Sequence, residues 1–269
     1  MPKLLTQSQI DHFEREGYLA PLRAVSGDQA HEFRRRIEGI EEKLGRDSEG
    51  YFKIKAHIAM PWMVDLACHP TILDAVEDLI GPDIILMGAS LFAKKAHDPR
   101  FVSWHQDSAY FGVTPSREIT AWVAFTDSNE TNGCVRVMPG THREAALSHV
   151  EKMEDNNMLA RGQTIEGLDE KKAVNLVLKA GEFSLHHERT AHASLANDSN
   201  DRRIGLAFFY IPTEVRSEST RRGALLVRGN DRHNHWDVDP LPRYDLDPIC
   251  VAELDRIWGK YRKGEYKAH

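Results

Sequence analysis

Along the first third of the chain, apolar residues recur every three or four positions, the period of a helix with one buried face. Ala30, Phe33, Ile37 and Ile40 draw such a stripe within Ser26 to Leu44, and Gly45 closes it. A shorter helix opens at Thr6-Gln7-Ser8-Gln9, runs through Glu16 and stops at Gly17. Pro70 to Ile80 repeats the pattern and ends at Gly81-Pro82. After that the period changes. Ile84 to Ala96, Glu118 to Thr126, Cys134 to Met138, Ala173 to Leu178, Glu182 to His187 and Arg203 to Ile211 are β-prone runs. Turn-forming clusters separate them, such as Thr114-Pro115-Ser116, Pro139-Gly140 and Asn197-Asp198-Ser199-Asn200. Short strands set off in this way predict a sandwich, barrel or jelly roll rather than alternating βαβ units. Pro248 to Arg262 reads as a closing helix. The predicted architecture is one domain, mainly β: a helical segment over residues 1–82, a jelly-roll core over 83–215, and a C-terminal loop and helix over 216–269.

Composition narrows the function. The 269 residues are 41% hydrophobic and 28% charged, ample for a real core. A formal charge of −6 gives no electrostatic reason to bind nucleic acid. No apolar run approaches the roughly 20 residues of a membrane span. Met1 to Glu14 lacks the apolar centre of a secretory signal. Cys68, Cys134 and Cys250 are odd in number and far apart, which fits a reducing cytoplasm better than a disulfide framework. Fourteen histidines are many for this length and direct attention to metal or acid–base chemistry.

Two segments carry a histidine and a carboxylate two apart, His105-Gln106-Asp107 and His235-Trp236-Asp237. On extended chain such a pair projects from one face and can reach one metal ion. A facial iron site needs a second neutral imidazole, leaving three coordination positions open. Downstream of Asp107 lies His192, two residues before Ser194, whereas downstream of Asp237 only His269 remains. His105, Asp107 and His192 are therefore the expected triad, and His235-Trp236-Asp237 is expected in a turn-rich loop remote from the metal.

Together with Trp104, these residues form part of an ordered series. It runs through Thr120-Ala-Trp122-Val-Ala-Phe, Asn132-Gly-Cys-Val-Arg-Val-Met-Pro-Gly-Thr-His142, His192-Ala-Ser194 and Arg203. Over about residues 80 to 215 the sequence resembles the phytanoyl-CoA dioxygenase family of iron/2-oxoglutarate oxygenases. The resemblance implies a double-stranded β-helix core of cupin type, with Fe(II) on His105, Asp107 and His192. It also implies 2-oxoglutarate as cosubstrate, with its distal carboxylate on Arg203 and further contacts from Lys95, Trp122 and Ser194. The implied reaction consumes O2, releases succinate and carbon dioxide, and hydroxylates a C–H bond of a small molecule. Related halogenating enzymes lack the metal carboxylate; Asp107 speaks against that chemistry here. A cupin-type metalloenzyme and a non-catalytic binding relative are the alternatives.

Strand alternation bears on Arg203 independently. Gly205, Ala207 and Phe209 share its face, while Ile204, Leu206, Phe208 and Tyr210 share the face of Arg202. The emptier face is the expected cavity, and a guanidinium there grips a carboxylate bidentately. For the substrate, Tyr110 and Phe111 are expected to line the pocket, with His187 a further contact and His186 structural. Arg216, Arg221, Arg222, Arg228 and Arg232 form either a solvated basic loop or a lid that recognises an anionic group.

Overall fold

A computed structural model describes residues 2–48, 50–144, 146–159 and 162–262; His269 lies outside the described residues. In chain order the elements begin with α1 (Gln7–Glu16), β1 (Tyr18–Arg23), α2 (Gly27–Leu44), α3 (Pro61–Ala67) and α4 (Pro70–Ile80). The central part holds β2 (Ile84–Lys94), β3 (Val102–His105), α5 (Ser108–Phe111), β4 (Val113–Thr114), β5 (Ile119–Ala124) and β6 (Val135–Val137). Then come β7 (Val150–Glu151), β8 (Gln163–Thr164), β9 (Val174–Asn175), β10 (Glu182–His187), β11 (His192–Ser194) and β12 (Arg203–Pro212). The chain closes with β13 (Arg216–Ser217), β14 (Gly223–Arg228), β15 (Asp237–Val238) and α6 (Pro248–Arg262).

The helix starts follow from local chemistry. Thr6 and Ser26 each accept from the backbone N–H three residues on, and Gln9 and Gln29 reach back to the cap N–H, so each start satisfies two otherwise unpaired donors. Gly17 ends α1 at φ +80°, where a Cβ would stand 2.4 Å from His142 and Thr190. Only glycine lets α1 turn this tightly into β1.

Two sheets make the jelly roll. The larger has seven strands in the order β1-β10-β5-β12-β2-β14-β15, and the smaller four in the order β3-β11-β6-β9. Their facing sides meet at Trp122, Ala124, Val135, Val137 and Ala207. The outer side of the large sheet presents Ile204, Leu206, Phe208 and Tyr210 to Ile37 of α2, Met63 of α3 and Ile72 of α4 in one buried cluster. Each such side chain fully buried contributes on the order of 1.5–3 kcal/mol. Tyr210 keeps its hydroxyl satisfied by donating to the Ala67 carbonyl at 2.8 Å.

Both ends of the chain depart from expectation. The N-terminal segment is not wholly helical, because β1 pairs antiparallel with β10 and covers that edge of the large sheet. The C-terminal segment is more than loop and helix, because β14 pairs with β2. Both segments extend the large sheet, and β1 and β15 become its edge strands. A bulge in β2 also matters for the site. Phe209 and Tyr210 pair with Gly88 and Leu86, so Met87 is an extra residue that reverses which side of β2 faces inward.

Candidate metal centre and its two cavities

His105 ends β3 and His192 begins β11, and the two residues are register partners across the ladder. Pairing brings their rings to 4.1 Å between centroids. Asp107 follows His105 into the short helix α5, and ligand atoms of His105, Asp107 and His192 all lie within 4.8 Å of one another. His105 Nδ1 donates to the Ser103 carbonyl at 2.9 Å, and His192 Nδ1 to the Thr190 carbonyl at 3.0 Å. Each bond fixes the tautomer and leaves Nε2 as a lone pair turned toward Asp107. Burial, reinforced by the neighbouring His105, holds His192 well below the ordinary histidine range and therefore neutral. Burial would raise the Asp107 carboxyl, but His192, His105 and His186 outweigh it and hold the group well below its usual value. Two imidazoles and one carboxylate on one side of a cation are a donor set suited to ferrous iron.

A second layer holds these three in place. Gln106, between two triad members, is fully buried. Its backbone N–H donates to His149 Nε2 at 3.0 Å, and its side-chain amide donates to the Arg189 carbonyl at 2.6 Å and accepts from Leu147 N–H at 3.0 Å. The Thr120 hydroxyl lies 3.2 Å from Asp107 Oδ2 and 3.0 Å from Glu118 Oε1. Burial, with Asp107 and Glu188 nearby, raises Glu118 well above the usual carboxyl range, and burial lifts Glu188 to about 7. A protonated Glu118 donates to Thr120, which leaves the threonine hydrogen for Asp107. Sequence reading assigned these residues no role. Gln106 and Thr120 sit inside the recognisable segments, whereas Glu118 and His149 give no local signal.

On one side of the triad is a narrow cavity of about 50 Å³. Arg203, Trp122 and Ser194 line it, as do His105, Asp107 and His192. Arg203 is 1% exposed, donates to the Gly133 carbonyl at 2.9 Å and stacks over Trp122 at 5.3 Å. Trp122 packs against Gly205, where a Cβ would fall 2.0 Å from the ring. Arg202 points the other way, to Glu41 at 2.7 and 3.0 Å on α2.

Three site expectations need correction here. Lys95 is exposed and pairs with Asp47, while the inward lysine is Lys94, fully buried and donating to Ser194 Oγ at 2.7 Å and to the Leu195 carbonyl. Burial and the adjacent Arg203 pull Lys94 down to about 6. His186, not His187, faces the triad: its Nε2 is 3.8 Å from Asp107 Oδ2 and its ring 4.5 Å from that of His192. His187 turns away, accepts from Arg189 N–H and sits beside His142. Arg216 is exposed, pairs with Thr114 in a two-residue ladder and lines neither cavity.

The second cavity is wider, about 360 Å³, and also reaches His105 and Asp107. Tyr110, Phe111, Phe209 and Ile257 of α6 line it, with Phe111 and Phe209 in ring contact at 4.9 Å. The basic run after Arg216 divides its work. Arg221 and Arg222 line the cavity, but Arg228 binds Asp74 and Glu77 on α4. His235-Trp236-Asp237 belongs to no cluster of three metal-suited side chains among the described residues, yet it is not remote from the site region. Trp236 and Asp237 line this cavity, and Trp236 donates to the Val215 carbonyl at 2.8 Å.

The sequence profile described as phytanoyl-CoA dioxygenase (PhyH) matches residues 13–205, well over half of the chain. The chain belongs to the phytanoyl-CoA dioxygenase family. A probable phytanoyl-CoA dioxygenase of Caenorhabditis elegans is 24% identical, the match covering 95% of this chain and 91% of that protein. A probable alpha-ketoglutarate-dependent hypophosphite dioxygenase of Stutzerimonas stutzeri is 28% identical over 73% of this chain and 67% of its own. Among solved structures, the non-heme monooxygenase ThoJ in its apo form superposes with a TM-score of 0.82 at 29% identity, over 96% of this chain and 97% of its own. CytC3 with Fe(II) and alpha-ketoglutarate gives 0.65 at 25% identity, over 91% and 97%. The family member described here is an Fe(II)/2-oxoglutarate-dependent dioxygenase, with Fe(II), 2-oxoglutarate and O2 as its cofactor and cosubstrates. No helix among the described residues is long and apolar enough to cross a membrane.

Proposed function

We propose that this dioxygenase hydroxylates a C–H bond of a small molecule held in the wide cavity, with Fe(II) on His105, Asp107 and His192. Arg203, Ser194 and Trp122, backed by Lys94, are proposed to hold 2-oxoglutarate in the narrow cavity. One observation carries this reading: His105 and Asp107 line both cavities, so the triad stands where the two meet. When bound, iron and 2-oxoglutarate supply the activation of dioxygen, with succinate and carbon dioxide released.

The protein's own residues do the rest. Arg203 offers a planar fork to a carboxylate, in a site whose other donors, Ser194 and Lys94, also suit an anion. Trp122 fills the space above Gly205 and places its ring 5.3 Å from the Arg203 guanidinium. Tyr110, edge-on to His105 with ring centroids 5.8 Å apart, closes the triad on the wide side. Asp107 occupies the carboxylate position that a halide would need, which favours hydroxylation over halogenation. Its Thr120 hydrogen bond keeps one oxygen oriented.

The test is spectroscopic and then catalytic. Anaerobic addition of Fe(II) and 2-oxoglutarate is expected to give the weak visible charge-transfer band of a chelated keto acid. Succinate release on admitting oxygen should then require a small-molecule substrate for full rate. No band, or full turnover with EDTA present, would overturn the reading.

A further inference from the structure

His186 of β10 is 2% exposed, and among the described residues neither of its ring nitrogens has a hydrogen-bond partner. The buried ring of His57 and the half-buried ring of His142 each keep one nitrogen in reach of an oxygen. A buried polar group without a partner is costly, and two on one side chain point to a partner from outside the chain. Strand pairing says where that partner would sit. Phe183 and Leu185 take the helix-covered side of β10, so His186 turns into the roll. There it lines the narrow cavity with Arg203, Ser194 and Trp122.

Within the cavity His186 stands beside the triad without joining it. Its Nε2 is 3.8 Å from Asp107 Oδ2, beyond hydrogen-bond length. Asp107 turns its other oxygen, Oδ1, to Nε2 of His105 and of His192, at 3.4 and 3.8 Å. The Nδ1 atoms of those two histidines bond to carbonyls two residues back. No such bond ties His186, so an imidazole N–H is open to whatever enters the cavity.

The oxygens of 2-oxoglutarate, on two carboxylates and a keto group, are acceptors only. Its distal carboxylate belongs with Arg203, whose guanidinium lies over Trp122. His186 pairs with Thr120, and Thr120 is two residues from Trp122 along β5, about 7 Å of strand. A five-carbon diacid reaching from Arg203 toward the triad therefore brings its keto-acid end alongside His186.

We propose that His186 donates a hydrogen bond to the keto-acid end of 2-oxoglutarate, a second grip on the cosubstrate opposite Arg203. This rests on the reading of the narrow cavity as the cosubstrate site. The bond orients that end against the triad, and His186 takes no part in bond making.

The test titrates 2-oxoglutarate, without oxygen, into the full chain loaded with Fe(II) while the visible band is recorded. His186→Phe keeps a ring and removes both nitrogens. It should weaken 2-oxoglutarate binding roughly ten- to hundredfold, the worth of one hydrogen bond to a charged group. The band should move to higher energy, because the lost donor had stabilised the electron-accepting keto acid. Fe(II) affinity measured before 2-oxoglutarate is added should not change. His186→Gln retains a side-chain N–H and should recover part of the cosubstrate affinity. Unchanged 2-oxoglutarate affinity in His186→Phe, or no recovery in His186→Gln, overturns the assignment. So does an equal loss of Fe(II) affinity, which would show that the ring serves Asp107 instead. Should the phenylalanine ring prevent folding, proton NMR of the zinc-loaded protein decides. Adding 2-oxoglutarate should bring up a downfield ring N–H resonance that His186→Gln lacks, and its absence overturns the proposal. A band missing from the unaltered protein overturns the oxygenase reading, whereas a band indifferent to His186→Phe overturns the role of His186 alone.

Discussion

Thr120 has one hydroxyl hydrogen and two carboxyl neighbours, so its bond to Asp107 depends on Glu118 being the donor on the other side. Thr120→Val keeps the shape and removes that support; outer partners of metal ligands are worth about 10–100-fold in affinity. Iron affinity, measured by anaerobic titration, is expected to fall by that range while the fold survives. Lys94 gives a pH prediction. Its value of about 6 in the free protein means that it is mostly neutral at pH 7–8. A carboxylate seated at Ser194 and Arg203 favours the charged form and raises that value. Binding then takes up a proton, so 2-oxoglutarate affinity should weaken as pH rises above about 6, by up to roughly tenfold per unit. Calorimetry in buffers of different ionisation enthalpy would count the proton, and Lys94→Met should flatten the slope. The two His-x-Asp segments allow a matched comparison. Asp107→Ala removes the one anionic group of the triad and should abolish iron retention, whereas Asp237→Ala breaks only an exposed pair with Arg221 and should keep it. Iron analysis after desalting decides, and retention in the first with loss in the second would put the metal on the wrong segment.

Elements show what the sequence could and could not reveal. The α4 bounds are legible because a proline, the apolar period and a closing glycine coincide there, and the α6 start because of Pro248. Strand phase is harder. Continuing the alternation of Ile85 and Met87 through β2 points Lys95 inward; the extra residue at Met87 shifts the inward set to Gly88, Ser90, Phe92 and Lys94. Nothing in the local composition announces that bulge, since it is fixed by pairing with Phe209 and Tyr210 of a strand over a hundred residues away. In β10 the expectation of a contact from His187 takes the wrong phase. Phe183 and Leu185 belong to the helix-covered core, so Ser184 and His186 must face the interior of the roll, opposite Trp122 and Thr120. Gly205 tests the face assignment of β12. Its Cβ would enter the Trp122 ring, so Gly205→Ala should cost about 1–3 kcal/mol through overpacking. The displaced indole should also disturb the narrow cavity, weakening 2-oxoglutarate binding more than substrate binding. A change confined to thermal stability would show that Trp122 is core alone.

For the whole molecule, the large sheet is a partition with fold on one side and chemistry on the other, and two adjacent arginines make the division testable. Arg202 leaves the outer side of β12 and binds Glu41, tying the helical layer to the jelly roll. Arg203 leaves the inner side and reaches the narrow cavity. Residue type and proximity are the same, so only the side of the sheet differs. Arg202→Ala should lower unfolding free energy by about 1–3 kcal/mol, the cost of a lost charge-assisted bond in a partly buried pair, with 2-oxoglutarate affinity unchanged. Arg203→Ala removes one partner of the proposed buried ion pair, a loss of about 3–5 kcal/mol from cosubstrate binding, or roughly two to four orders of magnitude. Its effect on the free protein should be smaller, because its bond to the Gly133 carbonyl is to a neutral group. Chemical denaturation and 2-oxoglutarate titration of both variants should therefore give opposite patterns. The reverse pattern would mean that β12 presents its other face to the iron.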